Sequence, residues 1–329
     1  MTTISSSGEQ DSVPHAASID PSEARHKSET IARLLAQKSI SPAEIRSLAA
    51  LSSSEPLEAA LLKQSGGTLE DLLAQRFQAF EAASRSVSLL AEQFGWQISP
   101  QDLWSFYLPL AQLLNHWDYD GACNLVGLAG APGAGKTSIV KILTLLTTIL
   151  SGRETISVSL DDFYLSPAER QALGHRWRAA PGTHDLALLA EFISRVKSGD
   201  EKIAVPQYDT AAERRDAPYV LPEAPRLVIF EGWFVGAPVP GYESLSRALD
   251  HLIYLDMETE AAFASRVERE AKIRAASGNR KGMTAEQVES FWRDVLLPGT
   301  EKWVAPLKAQ AELVFEIDAT HRVNFVCSN

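Results

Sequence analysis

The feature that most constrains this chain is the glycine-rich segment 130–137, which reads Gly-Ala-Pro-Gly-Ala-Gly-Lys-Thr. It matches the pattern GxxxxGK[ST] in full, follows an apolar run and opens a helical pattern, which is the context that this motif requires. Its glycines allow backbone N–H groups to face an oxyanion, and the N-terminus of the following helix adds its positive dipole end. A glycine-rich turn that fits the pattern by chance is the alternative. The segment predicts a strand, a phosphate-binding loop and a helix that together hold a nucleoside triphosphate.

Two residues of the motif have separate expected roles. Lys136 supplies a positive charge to the outer phosphates, and the hydroxyl of Thr137 is placed to ligate Mg²⁺. The residues expected to bind the nucleotide are Gly130, Ala131, Pro132, Gly133, Ala134, Gly135, Lys136, Thr137 and Ser138.

Short apolar runs alternate with amphipathic helical patterns from residue 124 onwards. The apolar runs are 124–128, 156–160, 227–230, 252–255 and 313–317, and the helical patterns are 136–150, 185–197, 258–276 and 284–308. This alternation predicts an α/β fold in which helices cover both faces of a parallel sheet.

We expect the chain to have three parts. Residues 1–28 are rich in Ser, Pro and acidic groups and have few large apolar side chains, so they predict a flexible tail. Residues 29–119 have helical spacing of apolar side chains, with breaks at Ser41-Pro42 and Ser99-Pro100, and predict an all-helical N-terminal segment. Residues 120–329 form the expected P-loop domain.

Charge and cysteine content limit the partners. The 31 Lys and Arg against 42 Asp and Glu give a net charge of -11, which repels nucleic acid and anionic lipid. The first residues lack the features of a secretory signal, and the longest apolar stretch, 139–150, is too short to span a bilayer. Two cysteines cannot build a disulfide framework. We therefore expect a cytoplasmic protein with neither a nucleic-acid nor a membrane partner, and of unknown oligomeric state.

Acidic residues follow two of the apolar runs. Asp161 and Asp162 directly follow the run 156–160, and Glu231 directly follows the run 227–230. At the carboxyl edge of a parallel sheet, one carboxylate can accept the proton of an acceptor hydroxyl while another holds a metal ion or its waters. Capping of a following helix is the alternative for the aspartates. The expected metal ligands are Thr137, Asp161 and Glu231, the last of them through water.

Six segments together resemble a known family. They are GAPGAGKT at 130–137, SLDDFY at 159–164, PGTHD at 181–185, VPQYD at 205–209, VIFEGWFVG at 228–236 and GMTAEQVESFW at 282–292. In these segments the chain resembles the phosphoribulokinase/uridine kinase group of P-loop kinases, and within it the D-glycerate 3-kinase branch. The resemblance implies a P-loop NTPase fold with a parallel five-stranded sheet, ATP with Mg²⁺ as cofactor, and Asp161 as the catalytic base.

The resemblance also implies an acceptor pocket around His184-Asp185, Tyr208-Asp209 and the arginines that follow. Arg214 and Arg215 lie in a polar stretch that we expect to be a loop, where a guanidinium could hold a carboxylate; an exposed arginine pair is the alternative. The residues expected to bind the acceptor are Asp162, Tyr164, His184, Tyr208, Arg214 and Arg215.

The helix expected over 258–276 carries arginines at helical spacing. Arg266 and Arg269 share one face, and such a lid can bring a cation to the charge that develops on a transferred phosphoryl group. A solvated face paired with neighbouring glutamates is the alternative. Lys136, Asp161 and Arg269 are the expected catalytic residues.

The sequence thus predicts an ATP-dependent kinase of a small hydroxyl-bearing metabolite, with D-glycerate as the favoured acceptor. A nucleoside such as uridine, pantothenate or a sugar phosphate remains an alternative acceptor. A P-loop ATPase or switch without an alcohol acceptor, and a kinase-like scaffold without turnover, are alternatives of a different class. A guanine-recognition motif of the NKxD type is absent, which disfavours a GTPase.

Overall fold

The computed structural model describes residues 21–37, 39–117, 124–210 and 212–328. Its strands are β1 (Asn124–Gly130), β2 (Thr155–Ser159), β3 (Ile203–Asp209), β4 (Arg214–Leu221), β5 (Leu227–Glu231), β6 (His251–Met257), β7 (Leu313–Ile317) and β8 (Val323–Ser328). Its α-helices are α1 (Pro21–Leu35), α2 (Pro42–Ser52), α3 (Pro56–Ser65), α4 (Leu69–Phe94), α5 (Pro100–Asp102), α6 (Leu108–His116), α7 (Lys136–Ser151), α8 (Pro167–Ala172), α9 (Leu186–Lys197), α10 (Glu243–Ala248), α11 (Thr259–Ala276), α12 (Ala285–Phe291) and α13 (Leu297–Gly299). No helix in these ranges is both long and apolar enough to cross a bilayer.

The central sheet has the strand order β2-β5-β1-β6-β7-β8. The first five strands are parallel, and β8 adds an antiparallel edge that the sequence patterns did not predict. The predicted five-stranded parallel sheet is confirmed. In its register Glu231 at the end of β5 lies beside Leu128 of β1 and Ser159 of β2, so the functional strand ends meet at one edge.

Burial explains why these segments form strands. Every residue of β5 is buried, and so are all but the first residue of β1, as expected for parallel strands with both faces covered. Helix α7 packs on β1, β2 and β5, and α4 and α6 of the N-terminal segment pack on α7. The N-terminal helices and the sheet therefore share one hydrophobic core.

Two expected helix breaks are confirmed. Ser41 and Ser99 accept hydrogen bonds from the backbone N–H of the third helical residue, and that residue's carboxylate accepts from the backbone N–H of the serine. A proline at the first helical position completes each boundary. The tail expected over 1–28 lies outside the described residues up to residue 20, and α1 begins within its remainder.

The helical pattern expected over 284–308 is interrupted. The chain continues from α12 through π-helical turns at Trp292–Leu296 and Thr300–Val304 and ends in a 3₁₀ turn at Ala305–Ala309. Pro298 and Pro306 lack a backbone N–H, so regular α-helical hydrogen bonding cannot run through this stretch.

A second sheet, the hairpin β3-β4, does not appear in the sequence patterns. The expectation of a polar loop at Arg214 and Arg215 is wrong, because these residues begin β4 and pair with Asp209 and Tyr208 of β3. Most of β4 is exposed, so its backbone ladder, and not a buried side-chain pattern, defines it.

One buried ionic network holds the N-terminal helices together. The guanidinium of Arg76 on α4 is completely buried and donates to both carboxylate oxygens of Glu58 on α3. Its Nε donates to Gln112 Oε1 on α6 at 2.8 Å, and Gln112 Nε2 donates to the carbonyl of Leu72 at 3.0 Å. The side chain of Trp104 lies against the guanidinium, 5.3 Å from ring centroid to Cζ. The packing of α3, α4 and α6 thus depends on the buried, hydrogen-bonded guanidinium of Arg76.

Glu58→Gln is expected to lower the free energy of unfolding by about 3 kcal/mol, because it leaves the buried Arg76 without a counter-ion. Urea denaturation of the purified protein measures this loss. Glu81→Gln is the matched control, since Glu81 pairs with Arg85 on the exposed face of the same α4. We expect the control to unfold at nearly the wild-type urea concentration. An equal loss in both variants would contradict a special role for the buried pair.

Candidate active site

The loop between β1 and α7 is packed so closely that only glycine fits at two positions. Gly130 has φ of 150°, and a Cβ there would lie 2.6 Å from the carbonyl oxygen of Leu255 on β6. Gly133 has φ of 99°, and a Cβ would lie 2.5 Å from the carbonyl oxygen of Ala262 on α11. The predicted nucleotide-binding residues form this loop and the first turn of α7, as the motif requires.

Lys136 is buried in the first turn of α7, and its Nζ donates to the carbonyl oxygens of Gly130 and Ala131 at 2.8 and 2.9 Å. The ammonium group therefore lies inside the curve of the loop. Burial lowers the pKa of Lys136, and the carboxylate of Glu231 acts in the opposite direction.

Thr137 and Glu231 join the phosphate loop to β5. The hydroxyl of Thr137 donates to Glu231 Oε1 at 3.0 Å, and the carboxylate is 7% exposed. Burial raises the pKa of Glu231, while Lys136 opposes that shift. A carboxylate and a hydroxyl are thus in contact at the point where the motif predicts metal ligands.

Asp161 and Asp162 have different surroundings, although they are adjacent in a 3₁₀ turn that follows β2. Asp161 is exposed, and its charge affects the pKa of Lys136, Tyr164 and Glu231, so all three lie within its electrostatic reach. Asp162 accepts hydrogen bonds from the backbone N–H groups of Tyr208 at 3.1 Å and Ser159 at 3.3 Å.

The contacts of Asp162 fasten the hairpin β3-β4 to the end of β2. Both of its carboxylate oxygens accept from the backbone, and burial raises its pKa to about 6. In this structure Asp162 therefore positions Tyr208, whereas Asp161 alone of the pair presents an exposed carboxylate to the site.

Tyr164 and His184 pack against each other within the electrostatic reach of Asp161. Their rings stack with centroids 4.4 Å apart, and their backbones form a single antiparallel bridge. Burial raises the pKa of Tyr164, and the charge of Asp161 adds to that shift. His184 is 4% exposed, and its Nδ1 lies 2.6 Å from the hydroxyl of Tyr242.

The second ring nitrogen of His184 has no hydrogen-bond partner among the described residues, although it is buried. The hydroxyl of Tyr242 accepts a hydrogen bond from the backbone N–H of Gly182 at 3.2 Å. This leaves the hydroxyl hydrogen free to be donated to Nδ1, which favours the tautomer with its hydrogen on Nε2. His184 thus carries a buried donor that a ligand oxygen can satisfy.

Two arginines that the sequence patterns did not predict lie near Tyr164. Arg170 on α8 donates to the hydroxyl of Tyr208 at 2.9 Å, and its guanidinium carbon lies 5.9 Å from the ring centroid of Tyr164. Arg178 donates to the carbonyl of Thr210 at 2.7 Å and pairs with Glu213. No local motif marks these arginines; only the position of the hairpin brings them together.

The two arginines that were expected to bind the acceptor have other contacts. Arg215 donates to the carbonyl of Tyr164 at 3.1 Å and pairs with Asp185 at 2.9 Å. Arg214 pairs with Asp216 at 2.8 Å on the exposed strand β4. Arg215 therefore supports the backbone at Tyr164, and Arg214 lies on the exposed strand β4.

Arg266 and Arg269 on α11 differ in their contacts and exposure. Arg266 pairs with Glu270 at 2.9 Å and is 12% exposed, and Glu270 also accepts from the backbone N–H of Met283 at 2.9 Å. Arg269 is exposed, and its charge affects the pKa of Lys136 in the phosphate loop. Arg266 thus secures the turn between α11 and α12, while Arg269 is the exposed cation of the pair near the loop.

The residues at this edge fit a magnesium ion that is bound together with a nucleotide. Their donor atoms are hydroxyl and carboxylate oxygens, which Mg²⁺ prefers, and Mg²⁺ commonly takes one or two carboxylates together with phosphates and water. The described residues include no cluster of three or more His, Cys, Asp or Glu that could hold a metal ion. A Mg²⁺ ion that is bound partly by nucleotide phosphates does not require such a cluster. Thr137 and Glu231 would provide its protein ligands.

Comparison with known proteins agrees with this geometry. A model described as the phosphoribulokinase/uridine kinase family matches residues 125–324. Among curated proteins, a pantothenate kinase of Corynebacterium efficiens is 26% identical over 220 residues, covering 61% of this chain and 66% of that protein. A pantothenate kinase of Rhodococcus erythropolis is 25% identical over 266 residues, covering 70% of this chain and 85% of that protein.

Among solved structures, the D-glycerate 3-kinase of Cryptococcus neoformans has a TM-score of 0.55 and 18% identity, and the match covers 77% of this chain and 99% of that one. At this identity the likeness is one of fold. The family match covers more than half of the chain and includes the phosphate loop, Asp161 and Glu231. Kinases of this family use ATP with Mg²⁺. The chain belongs to the phosphoribulokinase/uridine kinase family of P-loop kinases.

Proposed function

We propose that this protein transfers the γ-phosphoryl group of Mg²⁺-ATP to a hydroxyl of a small hydroxy acid, with D-glycerate as the favoured acceptor. The observation that carries the proposal is the convergence of the phosphate loop, the Thr137–Glu231 contact and the exposed Asp161 at one edge of the sheet. A site for phosphates and a carboxylate for an alcohol proton are the two parts that this reaction needs.

Asp161 acts as the base in this proposal. It accepts the hydrogen of the acceptor hydroxyl while that oxygen bonds to the γ-phosphorus and ADP leaves. Its exposure lets an acceptor approach, and Lys136 and Glu231 lie within its electrostatic reach on the nucleotide side. When bound, Mg²⁺-ATP supplies the phosphoryl group, and its metal ion neutralises charge on the phosphates. Thr137 and Glu231 would hold that ion, Glu231 through water.

Arg269 provides the positive charge that the transferred group requires. It is exposed on α11, next to the phosphate loop, whereas Arg266 is held by Glu270. A guanidinium at this place stabilises the charge spread over the equatorial oxygens of the transferred group.

The acceptor binds beside Asp161, near Tyr164 and His184. His184 offers its unpaired Nε2 hydrogen to an oxygen of the acceptor, and Tyr164 stacks on that imidazole within the electrostatic reach of the base. A site built to hydrogen-bond a substrate oxygen rejects molecules that lack it, because its buried donor would remain unpaired.

Pantothenate is the second candidate acceptor, because curated relatives whose matches cover 61% and 70% of this chain are pantothenate kinases. D-glycerate remains the first choice because the segments PGTHD at 181–185 and GMTAEQVESFW at 282–292 resemble the D-glycerate 3-kinase branch. Both candidates carry a hydroxyl and a carboxylate.

Asp161→Asn is expected to reduce acceptor-dependent ADP release by roughly a hundredfold to ten-thousandfold, since it removes the base. Binding of ATP, measured by calorimetry, should stay close to wild type because Asp161 lies outside the phosphate loop. Glu260→Gln, an exposed carboxylate at the start of α11, is the control and should retain activity. Normal turnover by Asp161→Asn would contradict the assignment of the base.

The protonation of His184 gives a stability prediction. Burial lowers the pKa of His184 to about 3, and the charge of Arg170 adds to the shift. As the pH falls, the unfolded chain therefore binds a proton at this histidine before the folded protein does. The contribution of neutral His184 to the free energy of unfolding is full above pH 6.5 and is lost as the pH falls towards 3. Between pH 7 and pH 5 the loss from His184 amounts to about 2 kcal/mol.

His184→Gln removes this titration while keeping an amide that can accept a hydrogen bond from Tyr242. We expect the free energy of unfolding of wild type to fall more than that of the variant between pH 7 and pH 5, measured by urea denaturation. Parallel curves for the two proteins would mean that His184 is protonated in the folded state.

A further inference from the structure

We propose that Arg170 and Arg178 form the binding site for the carboxylate of the acceptor, and that Glu213 occupies this site as an internal competitor that leaves when the acceptor binds. This inference rests on the proposed function and adds to it the group by which a hydroxy acid is recognised.

The carboxylate of Glu213 bridges the two arginines. Its Oε1 lies 3.1 Å from Nη1 of Arg178, and its Oε2 lies 3.4 Å from Nη2 of Arg170. Each oxygen therefore contacts a different guanidinium. Two guanidinium groups that share one carboxylate in this way form a ready site for any carboxylate of similar size.

The two arginines are held firmly, while Glu213 is not. Arg170 is 6% exposed and donates from Nη1 to the carbonyl of Leu165 and the hydroxyl of Tyr208. Arg178 is 24% exposed and donates to the carbonyl of Thr210. Glu213, in contrast, is 45% exposed and lies in the turn of the hairpin with a φ of 52°, a conformation that is unfavourable for a residue with a side chain.

These differences make Glu213 the part that can move. Its carboxylate can reach water with little loss, because it is already close to half exposed. Arg170 cannot leave in the same way, since a buried guanidinium without an anion is strongly unfavourable. An acceptor carboxylate that takes the place of Glu213 keeps both arginines paired.

The location fits the reaction. The guanidinium of Arg170 lies over the ring of Tyr164, and His184, with its unpaired donor, stacks on the same tyrosine. The charges of both Arg178 and Asp161 affect the hydroxyl of Tyr164. A small hydroxy acid with its carboxylate on the two arginines would thus extend along Tyr164 towards the base.

The test compares Glu213→Gln with wild type in steady-state kinetics at saturating Mg²⁺-ATP. The acceptors are D-glycerate and pantothenate, and their uncharged analogues are D-glyceramide and panthenol. Glu223→Gln is the matched control, because it removes the same charge from an exposed residue just beyond the other end of β4. Arg178→Gln tests the site itself, and thermal melting reports whether each variant is folded.

For the acid that the enzyme phosphorylates, we expect the KM of Glu213→Gln to be about fivefold lower than that of Glu223→Gln. A change of this size corresponds to the loss of one half-exposed ion pair that competes with the acceptor. The KM of Glu213→Gln for ATP should not change. Arg178→Gln should raise the KM of the same acid by about tenfold. The uncharged analogue should be a poor substrate for wild type. Its KM should be the same in wild type, Glu213→Gln and Arg178→Gln.

Two results would overturn the inference: an acid KM that is equal in Glu213→Gln and Glu223→Gln, or an uncharged analogue that wild type uses as well as the acid. If Arg178→Gln does not fold, the Glu213 comparison decides alone. If wild type phosphorylates no acceptor, the proposed function fails. Calorimetric titration of D-glycerate and pantothenate without ATP then decides the inference separately. Tighter binding to Glu213→Gln than to Glu223→Gln supports the carboxylate site, and equal or absent binding rejects it.

Discussion

The contact between Thr137 and Glu231 is the interaction on which the rest of the site depends. It joins the phosphate loop that follows β1 to the end of β5, and the carboxylate is buried. A buried carboxylate is stable only when hydrogen bonds and an opposite charge compensate for lost hydration, and Thr137 and Lys136 supply both. The register of β5 between β1 and β2 therefore places the carboxylate of Glu231 beside the phosphate loop.

The hairpin β3-β4 depends on a second carboxylate. Asp162 accepts two backbone hydrogen bonds and thereby fixes the hairpin β3-β4 against the end of β2. The hairpin carries Tyr208 and Glu213, whose side chains meet Arg170 and Arg178. One aspartate of the adjacent pair thus holds the hairpin, and the other, Asp161, is exposed and is the base in the proposed reaction.

Sequence patterns predicted the sheet and the nucleotide half of the site because both follow local rules. The runs before Gly130 and Glu231 are buried on both faces, and the run before Asp161 buries its apolar side chains, so the strands and the acidic residues after them could be located from hydrophobicity. The phosphate loop is a contiguous motif whose glycines are required by contacts with β6 and α11.

The acceptor half could not be predicted in the same way. Strand β4 is mostly exposed and has no alternating pattern, so the sequence predicted a loop at Arg214 and Arg215 and no role for Glu213. Arg170 and Arg178 come from a short helix and a loop, and their approach depends on the hairpin, which is fixed by a long-range hydrogen bond from Tyr208 to Asp162. Patterns within a few residues carry no information about such a contact.

The central claim is tested most directly by the release of ADP from Mg²⁺-ATP with D-glycerate, pantothenate, uridine, ribulose 5-phosphate or no acceptor. We expect release that depends on the acceptor and is fastest with a hydroxy acid, accompanied by one equivalent of phosphorylated acid detected by ³¹P NMR. Equal ADP release in every reaction, including the one without acceptor, would contradict this expectation and would indicate an ATPase or a nucleotide-dependent switch.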